Sequence, residues 1–409
     1  MKEKENSQPL SLIPGLPDEI ALDCLVRVPY RFHSGLKSVC RGWNDLLAHP
    51  SFYRQRRISG KGEEFICLVQ ALVPNTDAVA DSYAGKEEKP RSRAHSPPVY
   101  GLTLYNARDA TWQRMPPPPT LSAGIPTFCQ CVAVGRSKLV LLGGWDPVTL
   151  NSVADVYVCD LTRGGGWRRG APMSTARSFF ACAAVGPTSV YVAGGHDNQK
   201  NALRSAEVYD VESDTWRALP PMAEERDECR GLACGACRFW VVSGYDTESQ
   251  GRFSSAAECY DPVRGVWTQV DGVWPFPNAS PVASFCWSGQ QKNTEVTKVQ
   301  PSYDSLHFPS LWFLDINHKS VREFHPTNKT WKIASSMPDF ISSSPCVVLI
   351  GGDSSPSLHK MFVIGSDTSD GGQRRHQACV LDVSSRKWTR IDTPVDYSGF
   401  VYSASSLYL

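Results

Sequence analysis

From Phe65 onward the chain alternates short apolar runs with turn residues. Stretches such as "KLVLLGG" (Lys138 to Gly144) and "SVYVAGG" (Ser189 to Gly195) are apolar until they stop at glycine. Runs of this length, bounded by glycine, proline and aspartate, predict strands joined by tight turns. Residues 11 to 57 follow a different period. Phe32, Leu36, Val39, Cys40, Trp43, Leu46 and Leu47 recur at three- and four-residue spacing, which predicts helix. Pro17 suits a first helical position, Asp18 and Glu19 suit the positive end of the helix dipole, and Pro50 suits a stop. The pattern therefore divides the chain into a polar tail (1–10), a helical segment (11–57), a linker (58–64) and a mainly β body (65–409).

Within the body a phrase recurs. Trp112, Trp167, Trp216, Trp267, Trp331 and Trp388 are separated by 55, 49, 51, 64 and 57 residues, and self-similarity at about this period signals a propeller-type array. Six tryptophans predict six blades. Six residues before them stand Asn106, Asp210, Asp261, His325 and Asp382, while the second repeat carries one extra residue and places Asp160 seven before. Turn formers at that offset predict a hairpin with tryptophan on the returning strand. Tyr105, Tyr209, Tyr260, Phe324 and Leu381 precede them on the outgoing strand. A four-stranded sheet cannot cover both apolar faces alone, so blades must stack radially.

The first repeat supplies only three strands, from "FICLVQAL", "VYGLTLYN" and the Trp112 strand, whereas "GFVYSASSLYL" (Gly399 to Leu409) is a spare one. Pairing the chain end with the first blade removes an exposed edge. Two insertions interrupt the repeats: 74–98, between strands two and three of the first blade, and 288–309, between strands one and two of the fifth. The "CGAC" pair Cys234 and Cys237 lacks a second ligand pair and reads as a hairpin corner at Gly235 and Ala236. Most of the 14 cysteines sit singly in apolar strands, as small hydrophobes.

Composition excludes several functions. With 42 basic and 41 acidic side chains the net charge is +1, so no global field favours nucleic acid or an anionic membrane. No apolar run approaches the roughly 20 residues that span a bilayer, and the expected location is cytoplasmic or nuclear. HExxH, GxxxxGK[ST] and GxSxG are all missing from the sequence, so neither catalysis, a metal nor a cofactor is expected.

The double glycines Gly143–Gly144 and Gly194–Gly195, the single Gly244, and the tyrosine and tryptophan that follow resemble the repeats of kelch β-propellers. The helical segment, "LPDEI" to "VCRGWNDL", resembles the F-box, and the order of the two is similar to plant F-box/kelch proteins. The expected fold is thus mainly β: a six-bladed kelch-type propeller preceded by a small α-helical F-box. A helical cap on the propeller is the other reading of residues 11–57, although a partner is the more economical cover for so small a segment. The resemblance implies a substrate-recognition subunit of a Skp–cullin–F-box ubiquitin ligase, with an enzyme of phenylpropanoid or flavonoid synthesis as one implied target; a kelch scaffold without ligase role is the alternative. It places adaptor contacts on Ile13, Pro14, Leu16, Pro17, Ile20, Leu25, Val39, Cys40 and Trp43, some of which must be internal packing. Substrate contacts are expected on loops that share one face of the propeller. Trp145, Asp146, His196 and Tyr245 follow the glycines, and Arg177 and Arg226 follow the proline-rich exits. Either arginine could instead be satisfied by carbonyls of a neighbouring blade.

Overall fold

In the computed structural model the apolar runs pair into six antiparallel sheets of four strands each. The described residues are 11–73, 98–234, 238–287, 310–350, 360–367 and 375–409. The first blade runs, from channel to rim, Val401–Tyr408, Glu64–Ala71, Tyr100–Asn106 and Thr111–Met115. The second takes Gln130–Val134, Lys138–Leu142, Val156–Asp160 and Trp167–Arg169; the third takes Ala181–Val185, Ser189–Ala193, Ala206–Asp210 and Thr215–Leu219. The fourth to sixth blades begin at Arg230–Cys234, Ser284–Trp287 and Ser343–Ile350. The first strands of neighbouring blades touch one another around a central channel.

The outer hairpins form as the turn residues predict. Tyr105 faces Trp112, Tyr209 faces Trp216, Tyr260 faces Trp267, Phe324 faces Trp331 and Leu381 faces Trp388 across the strand pair. Asp210 Oδ1 accepts from the amides of Glu212 and Ser213, and Asp261 Oδ1 from those of Val263 and Arg264. These bonds are made by the folded side chain itself, which is why aspartate recurs there.

Each tryptophan also does something periodicity does not reveal. The indole N–H of Trp167 donates to Pro116 O (2.8 Å), Trp216 to Ala171 O (2.8 Å) and Trp267 to Pro220 O (2.7 Å). Trp331 donates to Val273 O (2.9 Å), Trp388 to Ser336 O (2.8 Å) and Trp112 to Asp392 O (2.9 Å). Every acceptor lies on the exit of the preceding blade, so six identical bonds run round the ring. After Pro116, Ala171 and Pro220 the next residue is proline, which leaves no amide donor beside the carbonyl.

The chain end closes the ring as expected. Val401–Tyr408 pairs antiparallel with Glu64–Ala71, and Leu409 exchanges both backbone bonds with Glu63 (3.0 and 2.7 Å). Ser403 and Ser405 then accept the amides of Cys131 and Ala133 in the second blade (2.9 and 2.7 Å). All cysteines with described side chains are unpaired thiols, and burial pushes those of Cys229 and Cys346 up to about 12. The corner at Gly235–Cys237 and both insertions, apart from Pro98, lie outside the described residues.

The helical segment comprises α1 (Asp18–Val26), α2 (His33–Lys37), α3 (Arg41–Ala48) and α4 (Pro50–Ile58). The structure corrects the expectation that a partner covers it in place of the propeller. Leu25, Val26, Leu47, Phe52 and Tyr53 share one apolar cluster with Phe65, Leu104 and Leu161 of the first two blades. Nor is 58–64 a free linker. The buried Glu63 carboxylate pairs with Arg56 at 2.5 Å, accepts the Tyr30 amide at 2.7 Å, and accepts Asn106 Nδ2 of the first blade at 2.7 Å. Tyr30 Oη donates to Leu161 O (2.9 Å), and Lys37 reaches Thr162 O. A segment of this size gains from the propeller the apolar cover it cannot supply itself.

Candidate functional site

The helices sit against the turns that join strands three and four of the first two blades, at Asn106–Thr111 and Asp160–Trp167. In an antiparallel blade those turns share a face with the strand one–two turns. The strand two–three loops and the inter-blade loops emerge at the other end. The candidate binding face therefore points away from the helical segment.

Arg177 and Arg226 are not on that face. Both are 0% exposed, which corrects their placement as rim contacts. Arg177 Nη1 donates to Gly194 O (2.9 Å) and Ser205 O (3.1 Å), and its Nη2 pairs with Glu207 (3.3 Å). Arg226 Nη1 donates to Ser243 O (2.9 Å) and Ala256 O (3.2 Å), and its Nε pairs with Glu258 (3.0 Å). These carbonyls belong to the blade that follows each arginine, whereas its own carbonyl accepts a glycine amide of the blade before: Gly144 to Arg177, Gly195 to Arg226. The glycines are explained by the same contact. A Cβ at Gly143 (φ +57°) would stand 2.6 Å from Arg177 O, and one at Gly194 (φ +69°) 2.4 Å from Arg226 O. The crowding comes from the inter-blade loop, not from the channel strands.

The residues after the glycines do gather at the rim. Trp145 Nε1 donates to Ser178 Oγ (2.8 Å), Ser178 Oγ lies 2.8 Å from His196 Nε2, and His196 Nδ1 lies 2.8 Å from Asp227 Oδ2. With a proton on His196 Nδ1 every member of this row is satisfied, and it clasps blades two, three and four. The order serine, histidine, aspartate suggests a nucleophile. Ser178, however, is wholly buried and its oxygen already accepts the indole proton, so no reacting carbonyl can reach it. Tyr245 is buried and donates to Glu228 (3.0 Å). Asp146 is spent on its own loop. It accepts the amides of Val148 (3.0 Å) and Thr149 (2.7 Å), bonds that hold its carboxyl below the ordinary value.

What sequence reading missed is a second ring of residues, on the inter-blade loops. Phe128, Phe179, Glu228 and Ser344 occupy the same place in four blades, each at positive φ (60°, 56°, 48° and 48°). Holding four non-glycine residues in this sparsely populated region costs free energy, and it turns their side chains toward the channel mouth. Phe128 lies 4.8 Å from Phe179, 5.1 Å from Trp145 and 5.1 Å from Tyr402, centroid to centroid. Phe179 stacks on His196 at 5.4 Å, and the Lys200 ammonium sits 3.6 Å above the Trp145 ring. The only sequence signal was the offset of two residues after each arginine or its replacement, Pro126.

On the helical segment Pro14, Leu16, Pro17, Ile20, Val39 and Cys40 are exposed, Ile13 and Trp43 are half-buried, and Leu25 is buried. Trp43 Nε1 donates to Leu12 O (2.7 Å), and Cys40 caps α3 by accepting the Trp43 amide. Leu25 belongs to the shared core, so it holds the segment and does not present a surface.

The F-box domain family model matches residues 13–55, and the Kelch motif model matches residues 177–223. The F-box/kelch-repeat protein At2g44130 of Arabidopsis thaliana is 42% identical over 97% of this chain and 96% of its own length. SKIP20, another F-box/kelch-repeat protein of that plant, is 40% identical over 100% and 99%. The chain belongs to the F-box/kelch-repeat proteins. An F-box joined to a kelch propeller implies a substrate-receptor role in Skp–cullin–F-box ligases, with the F-box implying the Skp adaptor as partner. Proteins of this type are generally receptors without catalysis of their own. Among the described residues no three His, Cys, Asp or Glu side chains converge as a metal site, and no helix is long and apolar enough to cross a membrane.

Proposed function

We propose that this F-box/kelch protein holds a Skp adaptor on the outer face of its helices and a target protein on the opposite end of the propeller, around Trp145, Phe179 and His196. The observation that carries this is the two-sidedness of the F-box. Leu25, Leu47 and Phe52 are consumed by the propeller, while Ile20 (52% exposed), Val39 (61%), Leu16 and Phe32 remain open. Open apolar side chains on a structured segment favour a protein partner. The receptor then supplies effective concentration and orientation, and a separate enzyme supplies the reactive thioester. The target class follows from the plant resemblance: an enzyme of phenylpropanoid or flavonoid synthesis, met in the cytosol or nucleus.

Ile20→Asp combined with Val39→Asp tests the adaptor face. Adaptor capture is expected to vanish while stability changes by no more than about 0.5 kcal/mol, since exposed positions carry little folding energy. Capture at the wild-type level by a folded variant refutes the assignment. For the target, proximity labelling with the proteasome blocked should enrich such an enzyme with the wild-type propeller and lose it with Trp145→Ala.

A further inference from the structure

The channel mouth encloses a cavity of about 210 Å³ to which all six blades contribute, among them Phe128, Phe179, Arg230, Val282, Ser344 and Tyr402. Its chemistry is lopsided. The wall is predominantly aromatic and aliphatic, yet it carries a guanidinium. Arg230, the first residue of the fourth blade, makes one hydrogen bond, Nε to Ser284 O at 3.2 Å. Its two Nη groups have no acceptor among the described residues, and the ionisable groups that bear on its charge are the Cys182 and Cys346 thiols and the Tyr402 phenol, whose ionisation burial opposes. This is the reverse of Arg177 and Arg226, each of which bonds two carbonyls and a carboxylate.

The other polar groups make the contrast sharper. The carboxyl on the wall, Glu228, already accepts the Tyr245 hydroxyl at 3.0 Å. Tyr402 Oη donates to none of the described residues. Burial pulls the Arg230 guanidinium below its ordinary value, the cost expected of a desolvated cation without a counter-charge. A carboxylate accepts the paired N–H groups of a guanidinium in one plane and removes that cost. Beyond the charge, the rings of Phe128, Phe179 and Tyr402 lie within 4.8 to 5.7 Å of one another, an arrangement that receives a flat apolar group at its edges and faces. A mostly apolar cavity with a few aimed polar groups is the usual form of a small-molecule site.

We propose that the channel mouth is a ligand pocket for a small organic acid, its carboxylate on Arg230 and the Tyr402 hydroxyl and its planar apolar body between Phe128 and Phe179. This stands apart from the receptor reading, since it requires neither the adaptor nor a target.

The test is calorimetric titration of the full chain with 4-methylbenzoate and naphthalene-2-carboxylate, with the matching amides and acetate as controls. Saturable one-site binding of at least one aromatic acid is expected, with its amide and acetate weaker by roughly tenfold or more, the worth of a hydrogen-bonded charge. Arg230→Gln should erase the preference for acid over amide, and Arg230→Lys should retain part of it. Val282→Trp, at a position already exposed on the mouth, should block both ligands without lowering the unfolding temperature. It decides the matter even if the arginine variants fold poorly. Absence of saturable binding by both acids, equal binding of acid and amide, or unchanged binding to Val282→Trp overturns the proposal.

Discussion

The third and fourth blades differ from the fifth and sixth in what fills the junction with the blade before. In the former, the inter-blade loop sends a fully buried arginine against a buried glutamate, Arg177 on Glu207 and Arg226 on Glu258, and each glutamate also accepts a loop amide, from Ser174 and Ala223. The loop into the fifth blade has no arginine. Trp274 takes the space, 4.7 Å from Phe313, 5.1 Å from Phe276 and 5.7 Å from Trp331, and Ile341 is the buried side chain of the next loop. Of these four junctions one half is joined by charge and hydrogen bonds, the other by aromatic and aliphatic packing. Both keep the indole bond to the preceding exit. The constant element is the outer tie, whereas the inner filler is interchangeable provided it excludes water.

Removal of Gly399–Leu409 should cause the largest effect, because both kinds of junction depend on a closed ring. The innermost strand of the first blade and its serine bonds to the second are lost together. Loss of the cooperative unfolding transition by circular dichroism is expected; a transition of unchanged midpoint contradicts the closure.

Arg226→Ala strands Glu258 in the interior and should cost about 3–5 kcal/mol in denaturant unfolding. Arg226→Met with Glu258→Leu should recover most of that, since an apolar filler already serves the fifth blade. If the double variant is as unstable as the single one, the fillers are not interchangeable.

Acid should act on the apolar half through His376 of the sixth blade. Burial lowers its pKa to about 4, its Nε2 has no hydrogen-bond partner among the described residues, and its ring meets Phe400 edge-on. The folded protein keeps this imidazole neutral while the unfolded chain binds a proton below pH 6.5. Stability is therefore unaffected above that value and falls as the pH drops from 6.5 toward 4, by up to roughly 3 kcal/mol. His376→Phe should make this limb of the stability profile shallower, with the buried His33, also lowered to about 4, supplying the remainder. An unchanged acid limb would place the sensitivity elsewhere.

Trp216→Phe and Trp331→Phe probe the shared tie and should be the mildest, each about 1–2 kcal/mol for a lost bond and an abandoned carbonyl. Equal losses in the two halves support a common outer tie; a loss confined to one half breaks the comparison.

The architecture was legible because it is written in local chemistry. Short continuous apolar runs, an aspartate that folds its own turn and a tryptophan at fixed offset act over fewer than ten residues. A spare strand at the chain end can only be used where an edge is open. The helical segment was legible for the same reason, as a three- and four-residue period, although Pro50, read as a stop, opens α4.

The candidate site was legible only in part, and the arginines show why. Arg177 and Arg230 are each a cation next to an inner strand, and nothing in "STARSFF" or "ECRGL" tells which one is buried with a partner and which faces a cavity. That depends on Glu207, thirty residues onward, and on Tyr245, which takes up Glu228, the carboxylate that shares the channel wall with Arg230. The positive φ of Phe128 and Phe179 was equally hidden, because it is imposed by the junction and not preferred by phenylalanine. The sequence by itself determined how many blades form, where each turns and that the segment ahead of them is helical. The tertiary structure alone decided which charges meet, which face the helices leave free and what lines the channel, because desolvation and pairing depend on segments that only folding brings together.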